Sequence, residues 1–93
     1  EERAVAPVLA RALKEARASI DAGETDCSML KAAATKAFDA EPLVRVEYFE
    51  IVDPETLSPL DRVADAALLA GAIWLGRTRL IDNVTWRSSK AIA

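Results

Sequence analysis

Four carboxylates lie close together in the middle of the chain and are the first candidates for chemistry: Glu47, Glu50, Asp53 and Glu55. Converging carboxylates could bind a hard cation or work as an acid–base pair. In a strand, however, residues an odd number apart point to opposite faces, so Glu47 and Glu50 should diverge. We therefore expect surface carboxylates and no metal site. Transition metals are also disfavoured, since the chain has no histidine and one cysteine.

Nucleophilic catalysis lacks a general base in this sequence. No serine, nor Cys27, has a histidine that could activate it, so no catalytic residue is predicted and Cys27 should be unreactive. The glycines, Gly23, Gly71 and Gly76, are too far apart to form a phosphate-binding loop. They are expected to be a helix cap, a position of close packing and a turn.

Composition indicates one folded domain. The chain has 93 residues, of which 52% are hydrophobic and 29% charged, enough for one core. Its net charge of -3, without a basic cluster, disfavours nucleic acid. No apolar stretch approaches the roughly 20 residues of a membrane span, and no signal peptide is visible, so no membrane partner is expected. The single cysteine fits a reducing cytoplasm.

Two amphipathic helices are predicted in the first half. From Val5 to Ile20 apolar residues recur every three or four positions: Val5, Leu9, Ala12, Leu13, Ala16 and Ile20. Pro7 should begin the regular helix or bend it. Thr25 and Asp26 can cap a second helix, ending before Pro42, whose apolar face is Leu30, Ala33, Ala34, Ala37 and Phe38.

The second half has the composition of a sheet, with one ambiguous segment. Residues 43–52 are rich in β-branched and aromatic side chains, which predicts a strand that ends at Asp53-Pro54. Between Arg62 and Trp74 the alanines favour a helix, whereas the alternation that leads to Gly76 favours a strand. The local pattern leaves both open. Thr85 to Ala93 is predicted to be a loose tail.

Two segments of the second half are distinctive: Tyr48-Phe49-Glu50-Ile51-Val52-Asp53 and Leu75-Gly76-Arg77-Thr78-Arg79-Leu80-Ile81-Asp82-Asn83. Together they resemble the C-terminal region of the pantoate–β-alanine ligase (pantothenate synthetase) family. The resemblance implies a strand in the ambiguous segment, a turn near Gly76-Arg77 and an antiparallel return from Thr78 to Asp82. The expected fold is therefore α+β, a small two-layer domain with an antiparallel sheet of about three strands and two main helices on one face.

The resemblance also implies a function. Residues 1–93 would be the C-terminal lid domain of an enzyme that joins pantoate to β-alanine through a pantoyl-adenylate, using ATP and Mg²⁺. In that family ATP binds an N-terminal Rossmann-like domain with a His-x-Gly-His-type signature, absent from this histidine-free chain. That domain is the expected partner, within a homodimeric cytoplasmic parent. The isolated chain should be inactive, bind neither ATP nor Mg²⁺ tightly, and self-associate weakly. The alternative is a free-standing α+β interaction module.

Three polar residues in the matching segment, Arg79, Asp82 and Asn83, are candidate contacts between the lid and the N-terminal domain. Their alternative role is strand-edge pairing and turn hydrogen bonding. Trp74 and Trp86 could stack on an adenine, although aromatic residues at strand ends more often belong to a core or its rim.

Overall fold

The expected α+β architecture is present in the computed structural model, which describes residues 7–88. Two helices, α1 (Val8–Asp21) and α2 (Cys27–Asp39), precede three strands, β1 (Val44–Val52), β2 (Ala66–Leu75) and β3 (Thr78–Arg87). The strands form an antiparallel sheet in the order β1-β2-β3, with β2 in the centre. Both helices pack on one face of this sheet, which we call the inner face; the opposite one is the outer face. Neither helix is long and apolar enough to cross a membrane.

Local sequence determines where the helices begin. The regular part of α1 starts directly after Pro7, as predicted, and the amide of Arg11 donates to the Pro7 carbonyl at 2.9 Å. Asp26 is extended and its carboxylate accepts the amide of Ser28 at 2.9 Å, which is the predicted cap of α2. One prediction is wrong: Ala33 is exposed, and the buried face of α2 is formed by Cys27, Leu30, Ala34 and Phe38.

The segment that the local pattern left open is strand β2, as the family resemblance implied. It pairs with β3 along its whole length, from Ala66 opposite Arg87 to Leu75 opposite Thr78. The connection is a two-residue turn, Gly76-Arg77, in which Gly76 has φ 58°. A positive φ at the first central residue is typical of a hairpin turn that matches the twist of its strands. Since β3 continues to Arg87, the prediction of a loose tail from Thr85 is wrong for its first three residues; Ser89 to Ala93 lie outside the described part.

A β-bulge divides β1 into two halves. Val46 pairs with Ile73, but the next partner, Ala72, pairs with Tyr48, so Glu47 is an extra residue. The inner positions of β1 are therefore Val44 and Val46 before the bulge and Phe49 and Ile51 after it. The bulge shifts the alternation by one residue.

One hydrophobic core fills the space between the helices and the inner face. Its fully buried side chains come from every helix and strand except β3, and the largest are Leu13, Phe38, Ile51, Leu69, Ile73 and Leu75. The rings of Phe38 and Phe49 meet edge to face at 5.9 Å between centroids, joining α2 to β1. Strand β3 contributes Leu80, Val84 and Trp86 at the margin. Every buried side chain in residues 7–88 is apolar or the Cys27 thiol.

The loop between β1 and β2 is fastened to the start of α2. The amide of Cys27 donates to the Asp61 carbonyl at 3.0 Å, and the amide of Val63 donates to the Thr25 carbonyl at 2.9 Å. These bonds enclose Cys27, which is 2% exposed. Burial, with the nearby charges of Asp26 and Asp61, raises the pKa of the thiol above its usual range, so at neutral pH the thiol is a poor nucleophile.

The turn predicts a cost for any side chain at Gly76. Gly76→Val should lower the free energy of unfolding by more than about 1 kcal/mol, because a β-branched residue is strained at positive φ. Urea denaturation measures the difference. The matched control is Arg77→Val at the next position, where φ is not positive. Equal destabilisation by the two substitutions would contradict the assigned turn.

A second prediction concerns Gly71, where α1 crosses the inner face. A Cβ at this position would lie 2.8 Å from Leu9 Cδ1 and 3.2 Å from Phe49 Cδ2. Gly71→Ala should therefore destabilise the fold by about 1–3 kcal/mol through overpacking. In a double-mutant cycle, Leu9→Ala removes the closest atom, so the penalty for Gly71→Ala should shrink in that background. An unchanged penalty would mean that the steric contact is not its cause.

Candidate functional site

Four side chains form a polar cluster at the hairpin end of the outer face: Arg45, Glu47, Trp74 and Arg79. We call them the outer-face cluster. Arg45, Trp74 and Arg79 are aligned across the three strands, since Trp74 on β2 pairs with Arg45 on one side and Arg79 on the other. Their neighbours Ile73 and Leu75 are buried in the core, so these three side chains face outward. The bulge brings Glu47 to the same face.

The carboxylate of Glu47 connects β1 to the other two strands. Arg79 donates to it twice, from Nε at 2.7 Å and from Nη2 at 2.8 Å, and the indole Nε1 of Trp74 donates at 3.0 Å. The guanidinium of Arg45 lies 5.6 Å from the centroid of the Trp74 ring, in cation–π geometry. Every polar group of Glu47 and Trp74 is thereby engaged within the cluster.

These contacts change the ionisation of Glu47. The hydrogen bonds from Arg79, together with its charge and the Trp74 indole, hold the pKa of Glu47 below its ordinary value. Both side chains of the ion pair remain well exposed, Arg79 by 40% and Glu47 by 37%. Solvent screens such a pair, so its role is to orient the side chains more than to stabilise the fold.

The three predicted contact residues do not form one group. Arg79 belongs to the outer-face cluster, and Asn83, opposite Ala70, lies on the same face farther along β3. Asp82 lies opposite Gly71, on the inner face at the edge of the sheet, and its Oδ1 accepts the Asn83 amide at 2.8 Å. Arg79 and Asn83 can therefore meet one partner surface, while Asp82 points away from it.

The four carboxylates of the first candidate site separate, but the reason given for two of them is wrong. Glu47 and Glu50 share the outer face, since the bulge cancels the odd spacing between them. They diverge because their partners differ: Glu47 is held by Arg79, whereas Glu50 accepts from Lys31 Nζ at 3.4 Å. Asp53 lies in the following loop, where the amides of Glu55 and Thr56 donate to its Oδ1 and lower its pKa. No metal-binding group of three His, Cys, Asp or Glu side chains exists within residues 7–88.

Both tryptophans have polar partners within the domain. Trp74 is occupied by Glu47 and Arg45, and Trp86 donates from Nε1 to Asp21 Oδ1 at 2.7 Å, which ties β3 to the end of α1. Sequence reasoning missed both carboxylate partners. A signal for Glu47 was present: the inward apolar residues change from even to odd numbers between Val46 and Phe49, and an extra residue must lie between them.

The fold is a two-layer α+β domain, and the outer-face cluster gives the exposed face of its sheet a group of ordered polar side chains. Comparison with known proteins gives its family. The family model for pantoate-beta-alanine ligase matches residues 1–85. The pantothenate synthetase of Acidobacterium capsulatum is 48% identical over 90% of this chain, and that of Clostridium botulinum is 39% identical over 94%. The crystal structure of the Thermus thermophilus pantothenate synthetase superposes with a TM-score of 0.81 at 39% identity, over 90% of this chain.

The chain belongs to the pantoate-beta-alanine ligase family. It spans only 28% and 31% of the two relatives named above, and 30% of the Thermus thermophilus chain. The resemblance of the two segments is therefore confirmed, and so is the α+β fold that it implied.

The Glu47 ion pair predicts a pH-dependent difference in stability. Folding lowers the pKa of Glu47 from its ordinary value of 4.5. The ionised carboxylate therefore stabilises the folded state at pH values above 4.5, and this stabilisation is lost as the pH falls through the lowered pKa. Glu47→Gln should thus be less stable than wild type at pH 7 and equally stable at strongly acidic pH. Urea denaturation at several pH values measures this convergence. The control is Glu50→Gln, which removes one 3.4 Å contact and should have a smaller effect; a constant difference for Glu47→Gln would contradict the prediction.

Proposed function

We propose that this chain is the C-terminal lid domain of a pantoate–β-alanine ligase. The supporting observation is the match itself, which covers nearly the whole chain at 39–48% identity yet only 28–31% of the relatives' length. The chain has no histidine and therefore lacks the His-x-Gly-His-type signature that the family resemblance associates with ATP binding. The chemistry is therefore assigned to an N-terminal Rossmann-like domain, to which ATP and Mg²⁺ bind.

A lid assists such a reaction by closing over it. Excluding water protects an acyl-adenylate from hydrolysis, and closure holds the reactants together. The domain is suited to move as a rigid body, because one core joins both helices to the sheet and the β2–β3 hairpin is paired along its whole length. Its contribution would be gating, while adenylate formation and the attack of β-alanine occur elsewhere.

Arg79, Asp82 and Asn83 are proposed to contact the N-terminal domain. Arg79 and Asn83 share the outer face and can act on the same surface. The bidentate pair with Glu47 fixes the Arg79 guanidinium in position before any partner arrives. Asp82, on the other side of β3, would reach a partner only around the edge of the sheet.

The parent enzyme is proposed to be a cytoplasmic homodimer. A buried free thiol at Cys27 fits a reducing compartment. When the chain is alone, the surface meant for its partner domain is exposed, and weak self-association is expected from that exposure.

The proposal predicts no turnover by the chain alone. Incubated with ATP, Mg²⁺, pantoate and β-alanine, it should release no AMP or pyrophosphate above a no-protein control, since the groups that stabilise charge on the transferring phosphorus are proposed to lie in the N-terminal domain. The positive arm is a chimera in which this chain replaces the matching C-terminal 30% of the Thermus thermophilus enzyme.

The chimera should make pantothenate, and the Thermus enzyme truncated at the junction should be slower by about 10²-fold or more in kcat/KM, because closure positions the reactants. Turnover by the isolated chain, after rigorous removal of host ligase, would mean that the active site had been assigned to the wrong domain. A chimera no faster than the truncated enzyme would reject the lid role.

A further inference from the structure

The outer face of the sheet has the composition of a buried surface. Apart from the indole N–H of Trp74, the side chains of strand β2 are apolar: its inner positions form the core, and its outer positions are Ala66, Leu68, Ala70, Ala72 and Trp74. An antiparallel sheet with one face in water normally alternates apolar and polar residues, whereas apolar residues on both faces are typical of a strand covered on both sides. Both helices lie on the inner face, so within residues 7–88 no helix or strand packs on the outer one.

The flanking strands complete a patch with an apolar centre and a polar rim. Tyr48 and Val52 from β1 and Ile81 from β3 lie beside the outer positions of β2, and Ile81 is 57% exposed. Charged and amide side chains surround them: Arg45, Glu47, Arg79, Asn83 and Arg87. Apolar centres with polar rims are the usual anatomy of protein interfaces.

The size of this patch determines which partner fits it. Three strands about 4.8 Å apart, each of about ten residues, give the outer face an area of about 450 Å². A partner that covers it completely contributes a similar area, so the interface would bury about 900 Å² in total. That area is well below the roughly 1,600 Å² of a stable interface between separate proteins. It lies within the roughly 600–1,500 Å² typical of contacts between two domains of one chain, where covalent connection removes most of the entropic cost of association. A second copy of the chain would bind such a patch only weakly.

We propose that the outer face is the surface on which the N-terminal domain of the same ligase chain packs. This inference rests on the proposed function, and it adds the face, its centre at Ile81 and Leu68, and its rim at Arg79 and Asn83. The two candidate contacts that share the outer face thus belong to the rim of one interface, while Asp82, on the inner face, would meet the same domain only around the edge of the sheet. The unmatched part of the relatives, about 70% of their length, supplies a body large enough to cover the patch.

The test measures solvent access to single thiols in the chimera with the Thermus thermophilus enzyme. Other cysteines, including Cys27, are replaced by alanine, and one thiol is introduced as Ile81→Cys or, in the control, Met29→Cys. The two native side chains are matched in exposure, 57% and 58%, but Met29 lies on α2, in the helix layer. A third variant, Leu57→Cys, uses the 61% exposed side chain in the loop after β1.

The expected result is that the Ile81→Cys thiol reacts with a maleimide on the order of tenfold more slowly than both controls, at every protein concentration. Equal rates at the three positions would overturn the inference. Protection that disappears on dilution would also overturn it, because the covering body would then be a second copy. The rates do not depend on catalysis, so an inactive chimera with a protected Ile81→Cys thiol would reject the lid role and keep the interface.

Discussion

The structure depends on strand β2, whose side chains are apolar except for the indole N–H of Trp74. It is the only strand paired on both edges in the described sheet, so its backbone donors and acceptors are used by β1 and β3 together. Its inner side chains anchor the core, and Gly71 lets Leu9 of α1 approach the backbone closely. The helices therefore dock at a distance set by this strand. The same apolar composition gives the outer positions of β2, apart from the Trp74 indole, no group that can hydrogen-bond to water.

The sequence predicted those elements whose cause is local. Pro7 acts through its ring and Asp26 through its carboxylate, each on the adjacent backbone, so the starts of both helices could be located from residue types alone. The place of the turn at Gly76 came from the family resemblance. Strand β2 could not be located from residue types, because alanine favours helix intrinsically while the sheet selects a strand through its neighbours. The resemblance to the ligase family resolved that segment. The full length of β3 followed from pairing: once a two-residue turn fixes the register, the ten residues of β2 require ten opposite them.

The candidate site was less predictable, because its geometry arises from pairs distant in sequence. Glu47 and Arg79 are 32 residues apart and meet only after the bulge has turned Glu47 outward and two strand pairings have aligned Arg79 with Trp74. A fixed period of two cannot anticipate that inversion. Arg79, Asp82 and Asn83 were grouped because they lie in one segment that resembles the family, and the strand register places Arg79 and Asn83 on the outer face but Asp82 on the inner one. Adjacent residues of a strand point to opposite faces of the sheet.

The two tryptophans give this small domain a built-in pair of optical reporters. Each indole donates its single N–H to a carboxylate, Trp74 to Glu47 on the outer face and Trp86 to Asp21 on the inner face. Indole emission responds to nearby charge and to water, so the fluorescence of Trp86 follows the attachment of α1 to the sheet, while that of Trp74 follows the environment of the opposite surface. Replacing either one by phenylalanine leaves a single emitter. The two layers of the molecule can thus be observed separately, without an added dye.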